Sequence, residues 1–340
     1  MTDVRIEGPG RLAWEEAAPL DRPPGPGEVR VAVERITLCG SDFHLFHGSY
    51  GGPCRYPLRF GHEWSGRVLE AGPGTRICPG TRVTGDCSRW CGTCDRCAVD
   101  RNLCRRIEKF GITCDGFSTG VRVVEERYLY PDEHDLGADA LALVEVFAVA
   151  WRGVARAGGA GGAERVLVVG AGPLGLAVAL VLEHAAGREV ELAESDPARA
   201  RLVAGRFGGL RPAPPPAGPD GLRSYADLAE AGRYPVVFDC SGSAAGLDAA
   251  LAACAPGGTM VAFGLSATAA ARSDVLVAKG LTVRGSIGGT GAFPEAMALL
   301  AARRDLPERL VTHRLPARQA EAALAPAAPS GGRIKVQLVF

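Results

Sequence analysis

Hydrophobic spacing divides this chain into two regimes. Through roughly the first 140 residues, apolar and β-branched positions come in short runs, Val29–Ile36, Gly66–Glu70, Thr81–Thr84 and Val121–Val124, set off by glycine and proline. Runs of this length between turn formers predict strands, and their number predicts a compact, partly barrel-like β domain with loops inserted. Helical character begins near Asp139, where ADALALVEVFAVAWRGVARAG is dense in alanine and leucine and closes at Gly158 and Gly159.

Arg165 opens a different pattern, in which strand and helix alternate. Arg165–Gly170 reads as a strand and Pro173–Ala186 as a helix, then Glu189–Glu194 as a strand and Pro197–Phe207 as a helix. Further strands are expected at Pro235–Cys240, Gly258–Gly264 and Leu281–Ile287, after an exposed Pro-rich loop at Arg211–Gly221. Continuous apolar strands such as VLVVG suit a parallel sheet covered on both faces, so a doubly wound α/β domain is expected. A helix at Pro294–Arg303 and a last strand within GGRIKVQLVF return to mixed character. At 340 residues the chain exceeds what one core usually supports. The expected division is residues 1–142, residues 143–288 and a returning segment 289–340.

Composition narrows the function classes. Hydrophobic residues make up 47%, which excludes wholesale disorder. Thirty-eight basic residues balance 38 acidic ones without a long basic run, so nucleic acid is not an expected partner. The polar start MTDVRIEGPG lacks the apolar core of a secretory signal. The most membrane-like run, Val166–Leu182, is punctuated by Gly170, Gly172, Pro173 and Gly175. A soluble protein of the reducing cytoplasm is expected, without a membrane partner.

That punctuation carries chemistry. GAGPLG closes a valine strand and opens a helix, the context in which a glycine-rich turn binds a dinucleotide. Gly170 allows the tight turn, Gly172 lets the backbone approach a pyrophosphate, and Gly175 lets helix and strand pack closely. Pro173 and Leu174 occupy the first helical turn, whose free amides face the phosphates. Glu194 ends the next strand, where a carboxylate accepts both adenosine ribose hydroxyls and repels a 2′-phosphate, so NAD is expected over NADP. Asp196 is expected to cap the helix that begins at Pro197.

Four of the 11 cysteines, Cys91, Cys94, Cys97 and Cys104, fall within CGTCDRCAVDRNLC. Four thiolates in one loop suit a closed tetrahedral site, the pattern of a structural zinc. The odd cysteine total argues against disulfides, and the six residues before Cys104 with Arg105 after it argue against a ferredoxin-type cluster. Unligated thiols are the rival reading. Upstream, CGSDFH supplies Cys39 with a hydroxyl and a carboxylate close by, and GHEW supplies His62 beside Glu63.

Together CGSDFH, GHEWSG, the four-cysteine lobe, LVEVFAVA, GAGPLG and the closing IKV fall in a familiar order and spacing. The chain resembles the zinc-dependent medium-chain dehydrogenase/reductase (alcohol dehydrogenase) family from end to end. GHEWSG, with the glutamate in LVEVF, is most similar to the polyol and cyclitol branch, which includes sorbitol, threonine and inosamine dehydrogenases. The resemblance implies a Rossmann domain beside a GroES-like catalytic domain, two zinc ions per chain, NAD, and a homodimer or homotetramer. The implied reaction oxidises a secondary alcohol of a polyol, cyclitol or amino-cyclitol to a ketone.

It also implies roles for single residues. Cys39 and His62 would hold the catalytic zinc with Glu145 as third protein ligand, and Glu63 would stand behind them or replace water as a ligand. Asp42 would hydrogen-bond the far nitrogen of His62. Ser41 would take the substrate proton, His44 would pass it outward, and Lys335 would reach the cofactor pyrophosphate. Two departures stand out: Val146 replaces a usual proline, and the last cysteine gap is one residue short, which makes Cys87 a candidate substitute in the lobe, about 87–104. Competing readings are an aliphatic alcohol dehydrogenase, a zinc-independent quinone or enoyl reductase of the same superfamily, and a non-catalytic module. His47, Tyr50, Trp64 and Arg152 are candidates for substrate contacts.

Overall fold

A computed structural model describes residues 2–16, 22–158, 165–208, 210–213, 224–230, 232–265, 272–325 and 332–340. The chain forms two compact units, one of Met1–Ala148, Gly288–Ala327 and Arg333–Phe340, the other of Val149–Ile287 and Ala328–Gly332. The first boundary falls inside the helix Val144–Arg156, later than the expected residue 143, so Glu145 belongs to the first unit. The helix expected from Asp139 is two helices, Gly137–Leu141 and Val144–Arg156.

The first unit is built on a seven-stranded sheet. Its order is Val311–Pro316, Lys335–Val339, Glu28–Thr37, Glu63–Ala71, Arg82–Gly85, Leu129–Pro131, with Val121–Glu125 also paired to Glu28–Thr37. In Glu28–Thr37 the alternation is explicit: Val29, Val31 and Val33 are buried, and their neighbours are less so. The pairing with Glu63–Ala71 then slips between Val33 and Arg35, and Ile36 and Thr37 both become buried. Such a bulge re-aims a strand, and here the strand leads straight into Cys39. Facing it, Glu63 to Gly66 are buried on both sides, with Trp64 stacked on Phe117 at 3.9 Å between ring centroids.

The second unit is a six-stranded parallel sheet of Arg165–Val169, Glu189–Ala193, Arg211–Ala213, Tyr234–Asp239, Cys254–Ala262 and Thr282–Gly285. Numbered in chain order, the six lie 3-2-1-4-5-6, the order of a doubly wound dinucleotide-binding sheet. One expectation is corrected: Arg211–Ala213 is a strand, not the start of a loop. It lies at the sheet edge, where proline costs no central ladder bond. Residues 214–223 of the expected Pro-rich loop lie outside the described residues.

Candidate functional site

Four sulfurs meet in the cysteine lobe. Cys91 follows the short strand Ser88–Arg89, Cys94 precedes the helix Asp95–Val99, Cys97 lies on it, and Cys104 closes the turn Arg101–Leu103. The Sγ atoms are 3.5 Å apart for Cys94–Cys97 and Cys91–Cys104, and 3.9 Å for Cys91–Cys97 and Cys94–Cys104. Zinc–sulfur bonds of about 2.3 Å in a tetrahedron give edges of about 3.8 Å, whereas a disulfide needs about 2.05 Å. Amides of Cys91 and Arg106 each donate to Cys104 Sγ at 3.3 Å. The backbone of Thr93 and the Arg106 guanidinium draw the Cys91 thiol down to about 5. The lobe therefore fits a zinc ion. Cys87 is not part of it: the thiol is buried elsewhere, within electrostatic reach of Lys109, Glu145 and Cys39.

A second cluster lies deep in the first unit. Asp42 accepts the Cys39 amide on Oδ2 at 2.8 Å and the Gly61 amide on Oδ1 at 3.2 Å. One buried carboxylate thus ties the cysteine turn to the histidine turn. Ligand atoms of Cys39, His62 and Glu63 lie within 4.8 Å of one another. His62 Nε2 is 3.3 Å from Ser41 Oγ, while Nδ1 is buried without a hydrogen-bond partner, 3.8 Å from Asp42 Oδ1. The expected Asp42–His62 hydrogen bond is therefore corrected to an electrostatic contact, since 3.8 Å is too long for a hydrogen bond and the two Asp42 oxygens are aimed at the Cys39 and Gly61 amides.

Electrostatics favours a cation at this cluster. Burial pushes the Cys39 thiol up to about 11, with the Glu63 charge adding to it. Burial also lifts Glu145 to about 8; His62 opposes the rise, and Glu63 and Cys39 reinforce it. Buried acids that cannot ionise unaided gain most from a divalent ion, and a thiolate, an imidazole and a carboxylate are zinc donors. The tight three-residue group contains Glu63 rather than Glu145, which borders it.

Lys335 is the clearest correction. Expected at the cofactor, it is 1% exposed, and its ammonium donates to both oxygens of Glu63 and, at 3.2 Å, to the Leu38 carbonyl. Strand Lys335–Val339 lies beside Glu28–Thr37 and points the side chain inward. Burial opposes the charge, yet Glu63 and Cys39 hold Lys335 above its ordinary value. Lys335→Met strands Glu63 as a buried, unpaired carboxylate, with an expected loss of about 3–5 kcal/mol in urea unfolding. A loss below about 1 kcal/mol, the range of exposed ion pairs, would show that the pair is dispensable.

The remaining candidates separate. His44 is exposed at the end of helix Gly40–His47, its Nδ1 2.8 Å from Ser49 Oγ. Tyr50 is within electrostatic reach of the cluster: burial and the charges of Cys87 and Cys39 push its hydroxyl up to about 12. His47 instead bonds the Leu324 carbonyl at 3.2 Å, Trp64 is wholly buried, and Arg152 donates to the Ile287 carbonyl in the second unit. Sequence motifs had singled out neither Lys109, within electrostatic reach of Cys87 and Glu145, nor its neighbours Asp86 and Ser88.

In the second unit the glycine turn has the expected geometry. Gly170 has φ 97°, and a Cβ on Gly175 would lie 1.8 Å from the Gly170 carbonyl oxygen. A Cβ on Gly172 would meet nothing within 4 Å, so the turn is bare on that side. Helix Pro173–Ala186 starts there; the Leu174 and Gly175 amides precede the first helical bond, from Leu176 to Gly172 at 2.9 Å, and lack helical acceptors. Glu194 accepts the Ala171 amide at 3.0 Å and the Asp196 amide at 2.9 Å, with Arg199 Nε 3.9 Å away. Asp196 caps its helix through the Ala198 amide at 3.0 Å. These residues fit the pyrophosphate and ribose of a dinucleotide.

Known proteins match both units. The family models for an alcohol dehydrogenase GroES-like domain and for a zinc-binding dehydrogenase match residues 25–134 and 173–302. D-altritol 5-dehydrogenase of Agrobacterium fabrum is 31% identical over 327 residues, 93% of each chain. L-idonate 5-dehydrogenase of Escherichia coli superposes with a TM-score of 0.85 at 27% identity, over 100% of this chain and 98% of that one. A structure described as a zinc-binding dehydrogenase of Sinorhizobium meliloti bound to NADP superposes with a TM-score of 0.83 at 28% identity, over 100% and 99%. No described helix is long and apolar enough to cross a membrane.

Proposed function

This chain belongs to the zinc-binding, medium-chain alcohol dehydrogenase family, and from that premise we propose that it oxidises a secondary hydroxyl of a polyol, cyclitol or amino-cyclitol to a ketone with NAD. The observation that carries the reading is the convergence of Cys39, His62 and Glu63 ligand atoms within 4.8 Å. The relatives' names support the substrate class, since a 5-dehydrogenase of altritol or idonate acts at a secondary carbon of a polyhydroxylated chain.

Two zinc ions per chain are proposed, one in the lobe and one held by Cys39, His62 and Glu145. Glu145 is favoured as the third ligand because Lys335 already neutralises Glu63, while Glu145 has no such partner. When bound, zinc raises the acidity of an alcohol hydroxyl by several units, and the nicotinamide takes the hydride from the same carbon. Ser41 receives the hydroxyl proton and gives up its own. His44, three residues on in the same helix and exposed, takes up that proton and releases it to solvent. Asp42 keeps the Cys39 and His62 turns together. Assembly as a homodimer or homotetramer in the cytoplasm belongs to the same proposal.

The test is a panel of polyols and cyclitols with NAD and with NADP, followed by nicotinamide absorbance, with zinc counted on the same protein. Full turnover by metal-free protein, or activity confined to quinones, would overturn the reading. NAD is proposed from the position of Glu194 beside the glycine turn. Glu194→Ala is expected to raise the KM for NAD about 10- to 100-fold, the scale of a lost charged hydrogen bond, and to improve use of NADP. A wild-type preference for NADP would refute the role of Glu194.

A further inference from the structure

Only three of the 38 basic residues are lysines, Lys109, Lys279 and Lys335, and none is fully exposed. Lys335 neutralises Glu63, and Lys279 donates to the carbonyls of Ala252 and Cys254 at 2.7 and 3.0 Å. In a chain that meets its surface charge with arginine, an interior lysine marks a place for a compact cation with three donors. Lys109 has a defined partner for one of these: its Nζ donates to Ser88 Oγ at 2.6 Å. Among the described residues no carboxylate forms an ion pair with it.

Lys109 lies on the segment that packs against the His62 turn: a Cβ on Gly111, two residues on, would lie 3.0 Å from the Gly61 backbone. Its strand, Glu108–Lys109, pairs with Ser88–Arg89, and the Phe110 amide bonds the Cys87 carbonyl at 2.9 Å. The Ser88 amide in turn donates to Asp86 Oδ1 at 2.8 Å. Asp86, Cys87 and Glu145 all respond to the Lys109 charge, and Cys87 and Glu145 respond to Cys39 as well. Gly288, at φ 71°, lets these polar groups pack against its backbone: a Cβ there would lie 3.1 Å from Lys109 Nζ and from Ser88 Oγ and 2.3 Å from Asn102 Oδ1.

We propose that Lys109 Nζ, held by Ser88 beside the buried cluster, hydrogen-bonds a substrate hydroxyl next to the carbon that is oxidised, and so selects polyhydroxylated alcohols over simple ones. This rests on the proposed dehydrogenase function and deepens it. A hydroxyl fits better than a carboxylate, because the buried acids Asp86 and Glu145 lie within electrostatic reach of the ammonium and disfavour a further anion there. What Lys109 has left to offer is donors rather than net charge.

The test compares kcat and KM for sorbitol, galactitol and myo-inositol with those for 2-butanol, using zinc-loaded wild type, Lys109→Met and Lys109→Gln. Lys109→Met is expected to raise the KM for the preferred polyol about 10- to 100-fold, with kcat nearly unchanged and 2-butanol turned over as before. Lys109→Gln, which keeps a donor, is expected to recover part of the loss and serves alone if the Met variant does not fold. Equal losses on polyol and 2-butanol, or a polyol preference that survives both variants, would overturn the proposal. Wild-type turnover of 2-butanol but of no polyol would overturn it while leaving the dehydrogenase reading standing. No turnover of any alcohol would remove both.

Discussion

Cys39→Ser and His62→Ala are each expected to lower turnover more than about 10³-fold and to take bound zinc from about two ions per chain to about one. The size follows from what the ion supplies: zinc takes the pKa of water from 15.7 to about 7, and losing a third of such a shift already costs about 10³. The fold should tolerate both changes. The Cys39 turn is fixed through its backbone amide and the His62 turn through the Gly61 amide, both on Asp42, and neither substitution removes those bonds. Zinc analysis, melting temperature and single-substrate kinetics on the same preparations decide the matter. Turnover within about tenfold of wild type, with one ion remaining, would end the proposed mechanism.

Removing the lobe ion has the larger structural effect. Cys94→Ser, or exhaustive chelation, is expected to unfold the segment 91–104 and to lower stability by a large part of the about 10–16 kcal/mol measured for small structural zinc sites. Apolar packing and helix propensity contribute little to this stretch. Its helix, Asp95–Val99, has five residues and no buried side chain, far below the length at which a helix stands alone. Val99 is 88% exposed, so no apolar burial takes over. Asn102 exchanges two hydrogen bonds with the Thr290 backbone, at 3.1 and 3.2 Å, so the loosening should reach residue 290. Amide hydrogen exchange across 91–104 and at Thr290 measures this, and unchanged protection in Cys94→Ser would refute the lobe's dependence on its metal.

Legibility in the sequence followed how local each determinant was. Strand Arg165–Val169 and helix Pro173–Ala186 stood where the pattern put them, because burial on both faces leaves a continuous apolar run. Gly175 was readable for a similar reason, since the carbonyl it must clear lies only five residues back. Strand Arg211–Ala213 was hidden by its proline, because its partner Glu191–Ala193 is chosen by the sheet and not by its own residues. The pairing of Glu63 with Lys335 was illegible, since the lysine lies 272 residues farther along the chain. Lys335 was misplaced for the same reason: its direction is set by strand pairing. Lys109 belongs to no motif, and its signal lay in the rarity of lysine in the chain.

The Lys335–Glu63 pair also sets a timetable. All four lobe thiols exist once residue 104 has been made, so that ion can be captured by a nascent chain. The buried cluster has no such freedom. Until residues 335–339 have been synthesised and laid against Glu28–Thr37, Glu63 lacks its countercharge and the sheet around it lacks a strand. The same metal would then enter one polypeptide at two moments of its biogenesis, early in the lobe and last of all where the chemistry happens.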